Sequence, residues 1–283
     1  AALFAIMTKV GAYAIIRIHA VVFGPDVPGL GGLIGDWLMP AAVVTVAIGA
    51  VGVLGARRLM PLLSFSVVGS MGTMMIAVAA FTPQATTAAL YYLVHSTFSA
   101  AALFLLADLV VSRRPGGDLL RAEPPTVQNG LFAALFFAGA IAMAGMPPLS
   151  GFLGKLLILD GLRDSAAMTA AWIAILVGSL MTIVGFARAG SILFWKSTAL
   201  APAEPEEDTG NPDETEAGDA PPPGPARAGA LEVAPTVMAL AILAVLAFLA
   251  GPMTGFMDKA AHQLFDGSDY VAAVLDPDAE VKQ

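Results

Sequence analysis

Apolar residues occur along this chain in long, nearly unbroken runs, separated by short stretches rich in Gly, Pro or charge. A helix needs about 20 apolar residues to cross the hydrocarbon core of a bilayer, and several runs reach that length. The pattern predicts an all-α polytopic membrane protein with about seven transmembrane segments. The predicted segments cover approximately residues 2–23, 37–55, 62–81, 85–111, 127–163, 166–195 and 231–256.

The fifth segment, residues 127–163, is predicted to be a broken helix. Pro147 and Pro148 interrupt its apolar run, because proline has no backbone N–H to donate and its ring clashes with the preceding turn. Ser150 is placed to cap the helix that resumes after the break. Such breaks are tolerated in a membrane only within protein or beside water, and they are common at the ion sites of transporters.

Two polar regions flank the last predicted helix. Residues 201–225 are rich in Pro, Gly, Ala and acidic residues, and they contain no basic residue. This composition cannot bury enough apolar surface to order itself, so 201–230 is predicted to be a disordered loop. The predicted division is a membrane bundle over 1–200, this loop, the last helix at 231–256 and a polar tail at 257–283. Because the chain opens inside an apolar run, we expect it to be the later part of a longer protein.

Composition supports the membrane assignment and excludes several other classes. Of the 283 residues, 57% are hydrophobic and 13% charged, and the mean hydropathy is +0.78, which a soluble domain of this length could not accommodate. The absence of cysteine excludes disulfide and thiolate chemistry. We find no zinc, P-loop or dinucleotide motif. We therefore expect no cofactor, no metal site, no catalytic residues of an enzyme and no nucleic-acid partner.

Three ionisable side chains fall inside predicted membrane helices with apolar residues on both sides: Lys9, His95 and Lys155. Ionisable groups inside a bilayer are costly, which makes them functional candidates. Lys155 follows the start of the resumed half-helix, where the positive helix end and the apolar surroundings disfavour an ammonium, so we expect it to gain and lose a proton. Two structural alternatives remain open. Lys155 could extend its ammonium to the membrane interface, and His95 could be a buried histidine whose hydrogen bonds are satisfied within the protein.

Polar residues accompany two of these groups at helical spacing. Tyr13 lies one turn after Lys9, while Tyr91 and Ser99 lie one turn before and one turn after His95. Residues four apart share one face of a helix, so we take these three, together with Ser150 at the break, as supporting polar residues of the candidate site.

A further stripe of small and polar residues runs along the third predicted helix. Its members are Ser66, Gly69, Ser70 and Thr73. Small residues allow membrane helices to approach closely, so we favour tight helix packing over a water-lined face.

Basic residues between the segments predict the orientation. If the segments cross alternately, most of these residues lie on one side, which should therefore be cytoplasmic. They are Arg57, Arg58, Arg113, Arg114, Arg121 and Lys196. This orientation places the acidic loop in the cytoplasm and the C-terminus outside, in a multi-pass protein of the cell inner (plasma) membrane.

Three stretches together resemble one family. Residues 8–17 (TKVGAYAIIR), 91–108 (YYLVHSTFSAAALFLLAD) and 145–155 (GMPPLSGFLGK) are similar to the eighth, eleventh and broken twelfth helices of antiporter-like membrane subunits. Multisubunit Mrp/Pha cation/proton antiporters and respiratory complex I share these subunits. The amino-acid sequence of residues 91–108 is most similar to that of the eleventh helix in the D-type subunits of the Mrp/Pha antiporters.

The resemblance implies half of an inverted-repeat fold and a proton-translocating subunit of a sodium or potassium/proton antiporter. Lys9, His95 and Lys155 match the family's polar axis, which relays protons along the membrane midplane. Many relatives have a lysine at the position of Ser99, so the relay here would depend more on water and His95. The implied partners are other subunits of the complex, membrane lipid, protons and sodium or potassium.

Alternatives remain open at this point. The nearest is a proton-pumping membrane subunit of complex I or of a membrane-bound hydrogenase, since those relatives often carry the same lysines. An intramembrane enzyme would need a nucleophile with a base, or a metal motif, and His95 has no evident partner of that kind. A scaffold without a transport role should tolerate apolar replacement of the buried lysines.

Overall fold

The computed structural model describes residues 2–21, 33–200 and 227–266, and their regular structure is helical apart from one isolated β-bridge. The predicted disordered loop up to residue 226, and the tail beyond 266, lie outside the described residues. The helices are α1 (Ala2–Val21), α2 (Leu33–Gly55), α3 (Leu59–Ala79), α4 (Pro83–Val111), α5 (Asn129–Ala144), α6 (Ser150–Gly161), α7 (Met168–Gly190), α8 (Ala230–Phe248) and α9 (Ala250–Phe265). A π-helical turn (Ser191–Trp195) and a 3₁₀ turn (Lys196–Ala199) continue α7.

The predicted all-α membrane fold is confirmed. Among the described residues, five helices are long and apolar enough to cross a membrane: α2, α3, α4, α7 with its continuation, and α8. With α1 and the interrupted pair α5 and α6, they account for the seven predicted segments. Many large apolar side chains on α2 and α7 face outward, as expected of helices that contact lipid.

Helix α4 lies at the centre of the bundle and carries His95 near its middle. It begins after Thr82, whose hydroxyl accepts a hydrogen bond from the Ala85 N–H at 3.2 Å, and Pro83 occupies its first turn. It packs against α1, α3, α5, α6, α8 and α9. Because so many helices surround α4, most of the polar side chains along its middle, including that of His95, are enclosed by protein.

Close packing between α2 and α3 depends on glycine. A Cβ added to Gly49 would overlap the backbone of Gly69 and lie 2.9 Å from the carbonyl oxygen of Phe65. The small residues of α3 therefore do support tight packing, as the sequence predicts. The hydroxyl groups of the same stripe also border a small cavity.

The break between α5 and α6 begins at Gly145. This residue has φ 77°, a left-handed conformation that favours glycine, and the Met146 N–H closes the end of α5 by bonding to the carbonyl oxygen of Ile141 at 3.0 Å. Pro147 and Pro148 follow, and α6 begins at Ser150. The predicted break is thus present, with the halves at 129–144 and 150–161 inside the predicted range of 127–163.

The last predicted helix, 231–256, differs from the structure. Helix α8 ends at Phe248, and α9 continues from Ala250 to Phe265, well into the predicted polar tail. Pro252 explains the end of α8, because it has no N–H to donate to the carbonyl of Phe248 and its ring would clash with that carbonyl. The hydrophobic run is continuous through Pro252, so run length alone overestimates this helix.

Ion pairs and hydrogen bonds bring basic residues from several helix ends together at one end of the bundle. Arg58 pairs with Asp118 at 2.7 Å and forms the β-bridge with Leu119. Arg113 pairs with Glu232 at the start of α8, and the Arg188 guanidinium donates to the carbonyl of Ala56 at 2.6 Å. The ends of α2, α4 and α7 therefore meet the starts of α3 and α8 at a single end, which we call the basic end.

Within the basic end, Glu123 is a buried carboxylate held by basic groups. It accepts hydrogen bonds from Arg121 at 2.6 Å and from the Gly116 N–H at 3.2 Å, and it lies 3.5 Å from the buried guanidinium of Arg114. Burial by itself raises the pKa of Glu123, but these hydrogen bonds and the two arginine charges outweigh it and hold the pKa below its usual value. The charged form of Glu123 therefore stabilises the loop between α4 and α5.

We expect Glu123→Gln to weaken this loop at neutral pH by about 1–2 kcal/mol, since charge-assisted hydrogen bonds become neutral ones. The carboxylate contributes stability above the pKa of an unfolded glutamate, about 4.3, and loses it as the pH falls through its lowered folded pKa. Amide hydrogen exchange over residues 112–128 measures this. The variant should exchange faster than the parent at pH 7, and the difference should disappear at acidic pH. A difference independent of pH would contradict the electrostatic explanation.

Candidate functional site

Lys9 lies in α1, which packs against α4. The lysine is only 3% exposed, and its Nζ has no hydrogen-bond partner among the residues that the structure describes. Burying an amine without a hydrogen-bond partner costs free energy. We therefore expect the Lys9 amine to bond to water or to a neighbour with which it exchanges protons.

His95 is 1% exposed and connects α4 to both sides of the helix break. Its Nδ1 lies 2.9 Å from the hydroxyl oxygen of Ser150, the first residue of α6. The ring also interacts with the backbone carbonyl of Ala142, near the end of α5. His95 is close enough to Lys9 and Lys155 for their charges to act on it.

The prediction that Ser150 caps α6 is wrong. Leu149 occupies the cap position, and no side chain accepts a hydrogen bond there. The hydroxyl of Ser150 faces His95 instead, because α4 passes directly beside the break. Ser150 therefore belongs to the candidate site as a partner of the histidine.

Gly151 makes this arrangement possible. A Cβ at this position would overlap the carbonyl oxygen of Ala142 and lie 2.8 Å from Nε2 of His95. The two half-helices and the histidine ring meet here with no room for a methyl group, so only glycine fits.

Lys155 extends back from α6 to the end of α5. Its Nζ donates to the carbonyl oxygen of Ala144 at 2.7 Å and to the Ser179 hydroxyl at 2.8 Å, and its methylene chain lies against Gly145. Side chains in helices point toward the N-terminus, which explains the direction. The sequence places Lys155 beside the positive end of α6, but its amine reaches the carbonyl end of α5, where a cation is favoured.

A small polar cavity lies beside Lys155. Its volume is about 20 Å³, counted as the space open to the centre of a water molecule, which is enough for one or two waters. Hydroxyl groups from three helices line it: Ser66, Ser70, Thr73, Tyr92, Ser179 and Thr182. The stripe on α3 therefore borders a polar cavity as well as packing against α2, and the water-lined face that the sequence left as the less favoured alternative stays a prediction.

The supporting residues proposed from spacing occupy different surroundings. Tyr13 is 38% exposed, and its hydroxyl accepts a hydrogen bond from Arg17 at 3.2 Å, so the structure does not bring it to the candidate site. Tyr91 is buried, but its hydroxyl donates to the carbonyl of Leu246 in α8 at 3.0 Å. Ser99 is fully buried, and its hydroxyl has no partner among the described residues.

Three polar residues at the site were missed in the sequence. The ring centroid of Tyr92 lies 5.5 Å from that of His95, and its hydroxyl accepts from Ser70 at 3.3 Å. Ser179 and Thr182, both on α7, border the cavity. Tyr92 lies three residues before His95, a spacing that also places two side chains on one helix face, so this residue could have been found.

No group of three or more His, Asp or Glu side chains gathers in residues 2–21, 33–200 and 227–266. The cavity and the break offer hydroxyl, carbonyl and amine groups. Such groups suit the transfer of protons and the binding of water.

The chain resembles known membrane proteins over most of its length. The family model described as NADH:quinone oxidoreductase/Mrp antiporter, TM, matches residues 1–182. The D subunit of a probable K⁺/H⁺ antiporter from Rhizobium meliloti (strain 1021) is 32% identical over an alignment of 293 positions, which covers 93% of this chain and 50% of the relative. The D subunit of the Na⁺/H⁺ antiporter from Bacillus subtilis (strain 168) is 30% identical over 273 residues, 96% of this chain and 50% of the relative.

Solved structures have the same fold. The Mrp complex from Dietzia sp. DQ12-45-1b contains a chain with a TM-score of 0.73 and 28% identity, and the match covers 96% of this chain and 55% of that one. Respiratory complex I from Thermus thermophilus with bound NADH matches in fold, with a TM-score of 0.60, 23% identity and coverage of 84% and 46%. This chain thus spans about half the length of the relatives that it matches. The chain belongs to the NADH:quinone oxidoreductase/Mrp antiporter transmembrane family.

Proposed function

We propose that this chain is a proton-translocating part of the D-type subunit of a multisubunit sodium or potassium/proton antiporter. The observation that carries the proposal is a polar line inside an apolar bundle: the buried residues Lys9, His95 and Ser150, and the partly buried Lys155 at the break. The names of the relatives, which are D subunits of cation/proton antiporters, support the assignment to an antiporter. The partners would be the other subunits of such a complex and the surrounding lipid.

In the proposed mechanism, protons move between Lys155, His95 and Lys9. The histidine has the position of a link, since it faces Ser150 at the break and interacts electrostatically with both lysines. A proton gained by one group disfavours a second proton on its neighbour. Binding of a proton at one end of the line would therefore promote release of a proton at the other end. This charge coupling would drive the exchange of protons against the metal cation.

A proton-pumping subunit of complex I or of a membrane hydrogenase is the second candidate, because the matching family model includes NADH:quinone oxidoreductases. The subunits that co-purify with the tagged chain separate the two candidates. Small hydrophobic antiporter subunits would support the first candidate, and iron–sulfur proteins would support the second.

We expect His95→Ala to slow cation-dependent proton flux in everted vesicles by about 100-fold, the scale of contribution of a positioned proton-transfer group. The matched control is His262→Ala, which removes an exposed histidine on α9. Both variants should assemble normally on native gels. Parent-like flux in an assembled His95→Ala complex would remove the histidine from the pathway and count against the proposed relay.

For location, we propose a multi-pass protein of the plasma membrane with the basic end in the cytoplasm and α9 at the outer side. The chain has no native cysteine, so a maleimide can react only with the single cysteine that is introduced. In intact cells an impermeant maleimide should label Lys259→Cys and not Thr198→Cys, and both should label in permeabilised cells. The reverse pattern in intact cells would overturn the proposed orientation.

A further inference from the structure

The hydroxyl-lined cavity lies beside Lys155, and residues from α2 to α7 form its wall. Lys155 forms part of its wall, together with Ser179, which accepts a hydrogen bond from the lysine. The Tyr92 hydroxyl and the Tyr92 ring face different groups: the hydroxyl meets Ser70 at the cavity, and the ring meets His95. The cavity thus touches Lys155 directly, and the Tyr92 side chain connects it to His95.

Counting the hydrogen bonds of Lys155 leaves one position of its nitrogen free. Two N–H groups are directed at the carbonyl of Ala144 and the hydroxyl of Ser179, which themselves are fixed by α5 and α7. The remaining tetrahedral position holds a third N–H when the lysine is charged and a lone pair when it is neutral. This position is the one through which the proton can leave or return.

The wall of the cavity presents mainly acceptors. Ser179 donates its own proton to the carbonyl of Ile175 at 2.7 Å, and Thr182 donates to that of Gly178 at 2.7 Å. Ser66 and Thr73 likewise donate to carbonyls of their own helix, those of Leu63 and Gly69. Oxygen lone pairs of these hydroxyls therefore face an occupant of the cavity, although Ser179 already accepts one hydrogen bond from Lys155 and Thr73 also interacts with the Tyr92 hydroxyl.

Water matches this wall better than an alkali cation does. A water molecule can accept from the third N–H of Lys155 while donating both of its protons to hydroxyl oxygens, which gives it three hydrogen bonds. A cation would lie beside the ammonium, where like charges repel, and no carboxylate belongs to the lining residues that the structure describes.

We propose that this cavity is the hydration site through which Lys155 exchanges its proton, and that Ser179 is the positioning residue that directs the lysine toward it. The inference rests on the proposed function and deepens it. In the release step the third N–H bond of Lys155 breaks and a new O–H bond forms on the water. The resulting hydronium, held by the hydroxyl oxygens, then gives one of its protons to a second water molecule and becomes neutral water again. Loading is the reverse of these steps, and in both directions water is the only further reactant.

The test compares Ser179→Ala with Ser179→Thr and with the matched control Ser64→Ala. Ser64 donates to the carbonyl four residues earlier, as Ser179 does, but it is exposed and does not line the cavity. A hydroxyl oxygen accepts more strongly from an ammonium than from an amine, so its loss disfavours the proton-loaded lysine. In everted vesicles, the alkaline limb of the antiport pH profile should move to lower pH by about one unit in Ser179→Ala. The profile should be parent-like in Ser179→Thr and in Ser64→Ala.

A second variant tests the cavity without touching Lys155. Thr182→Val keeps the side-chain volume and removes one acceptor from the wall. The loss of one hydrogen bond to the water should lower the flux by about tenfold, with the same pH profile and normal assembly. If Ser179→Ala and Thr182→Val both match the parent while Lys155→Ala is inactive, the hydration site is wrong and the proposed relay stands. If Thr182→Val instead weakens only the apparent affinity for sodium or potassium, the cavity binds the cation and the water proposal is overturned. If Lys155→Ala itself transports normally, the proposed function fails first.

Discussion

Lys155→Ala should reduce cation-dependent proton flux by about 100-fold or more while leaving the complex assembled, because the relay loses a positioned proton carrier. Lys155→Arg should fail as well. Arginine remains charged at any physiological pH, so it cannot release a proton during turnover. Its planar guanidinium also does not reproduce the two bonds that the amine makes to the Ala144 carbonyl and the Ser179 hydroxyl.

The measurement is proton flux in everted vesicles from cells that express the complex, with assembly checked on native gels. Lys259→Ala is the matched control, since it removes an exposed lysine from α9 and should leave flux unchanged. Parent-like transport by Lys155→Arg would show that a fixed positive charge is sufficient and that this lysine does not cycle between protonation states. Parent-like transport by Lys155→Ala would favour the scaffold alternative.

Gly151→Ala should disable transport although it adds only one methyl group. The new Cβ would overlap the backbone oxygen of Ala142, which cannot move away without shifting the end of α5. It would also press on Nε2 of His95 and so disturb the 2.9 Å contact between Nδ1 and the Ser150 hydroxyl. Overpacking of this kind costs about 1–3 kcal/mol, so we expect a less stable complex in addition to the loss of flux.

Gly130→Ala provides the control, because it is the same substitution in the first turn of α5, where a Cβ would meet nothing within 4 Å. Alanine has the higher helix propensity, so this variant should be as stable as the parent or slightly more stable. Flux and thermal unfolding of the purified complex should therefore separate the two variants. Equal flux and equal stability in both would contradict the close meeting of α5, α6 and His95.

Local signals in the sequence were sufficient for the architecture and for placing the three ionisable residues within apolar helices. The membrane helices follow from the length of the apolar runs, and the break follows from Pro147 and Pro148, because neither proline can continue the backbone ladder. Lys9, His95 and Lys155 are conspicuous because each interrupts an apolar run. The end of α8 could also have been predicted, since Pro252 has no N–H to donate to the carbonyl of Phe248, four residues earlier.

The partners of those residues depend on contacts that the sequence does not encode locally. Ser150 has the residue type and position of a helix cap, but it meets His95, 55 residues away in the chain. Lys155 meets Ser179 across a separation of 24 residues. Tyr91 and Tyr92 are adjacent on α4, yet one hydroxyl faces α8 and the other faces the cavity, which depends on how α4 is rotated among its neighbours.

The sequence by itself determined which segments cross the membrane, where the fifth segment breaks and which ionisable groups lie within the apolar runs. Only the tertiary structure decided which side of each helix faces the protein, and therefore which hydroxyls surround Lys155 and which tyrosine meets His95. The physical reason is that lipid tails are as apolar as leucine side chains. A membrane helix can therefore be apolar on every side, and its hydrophobic pattern specifies its length without specifying its rotation.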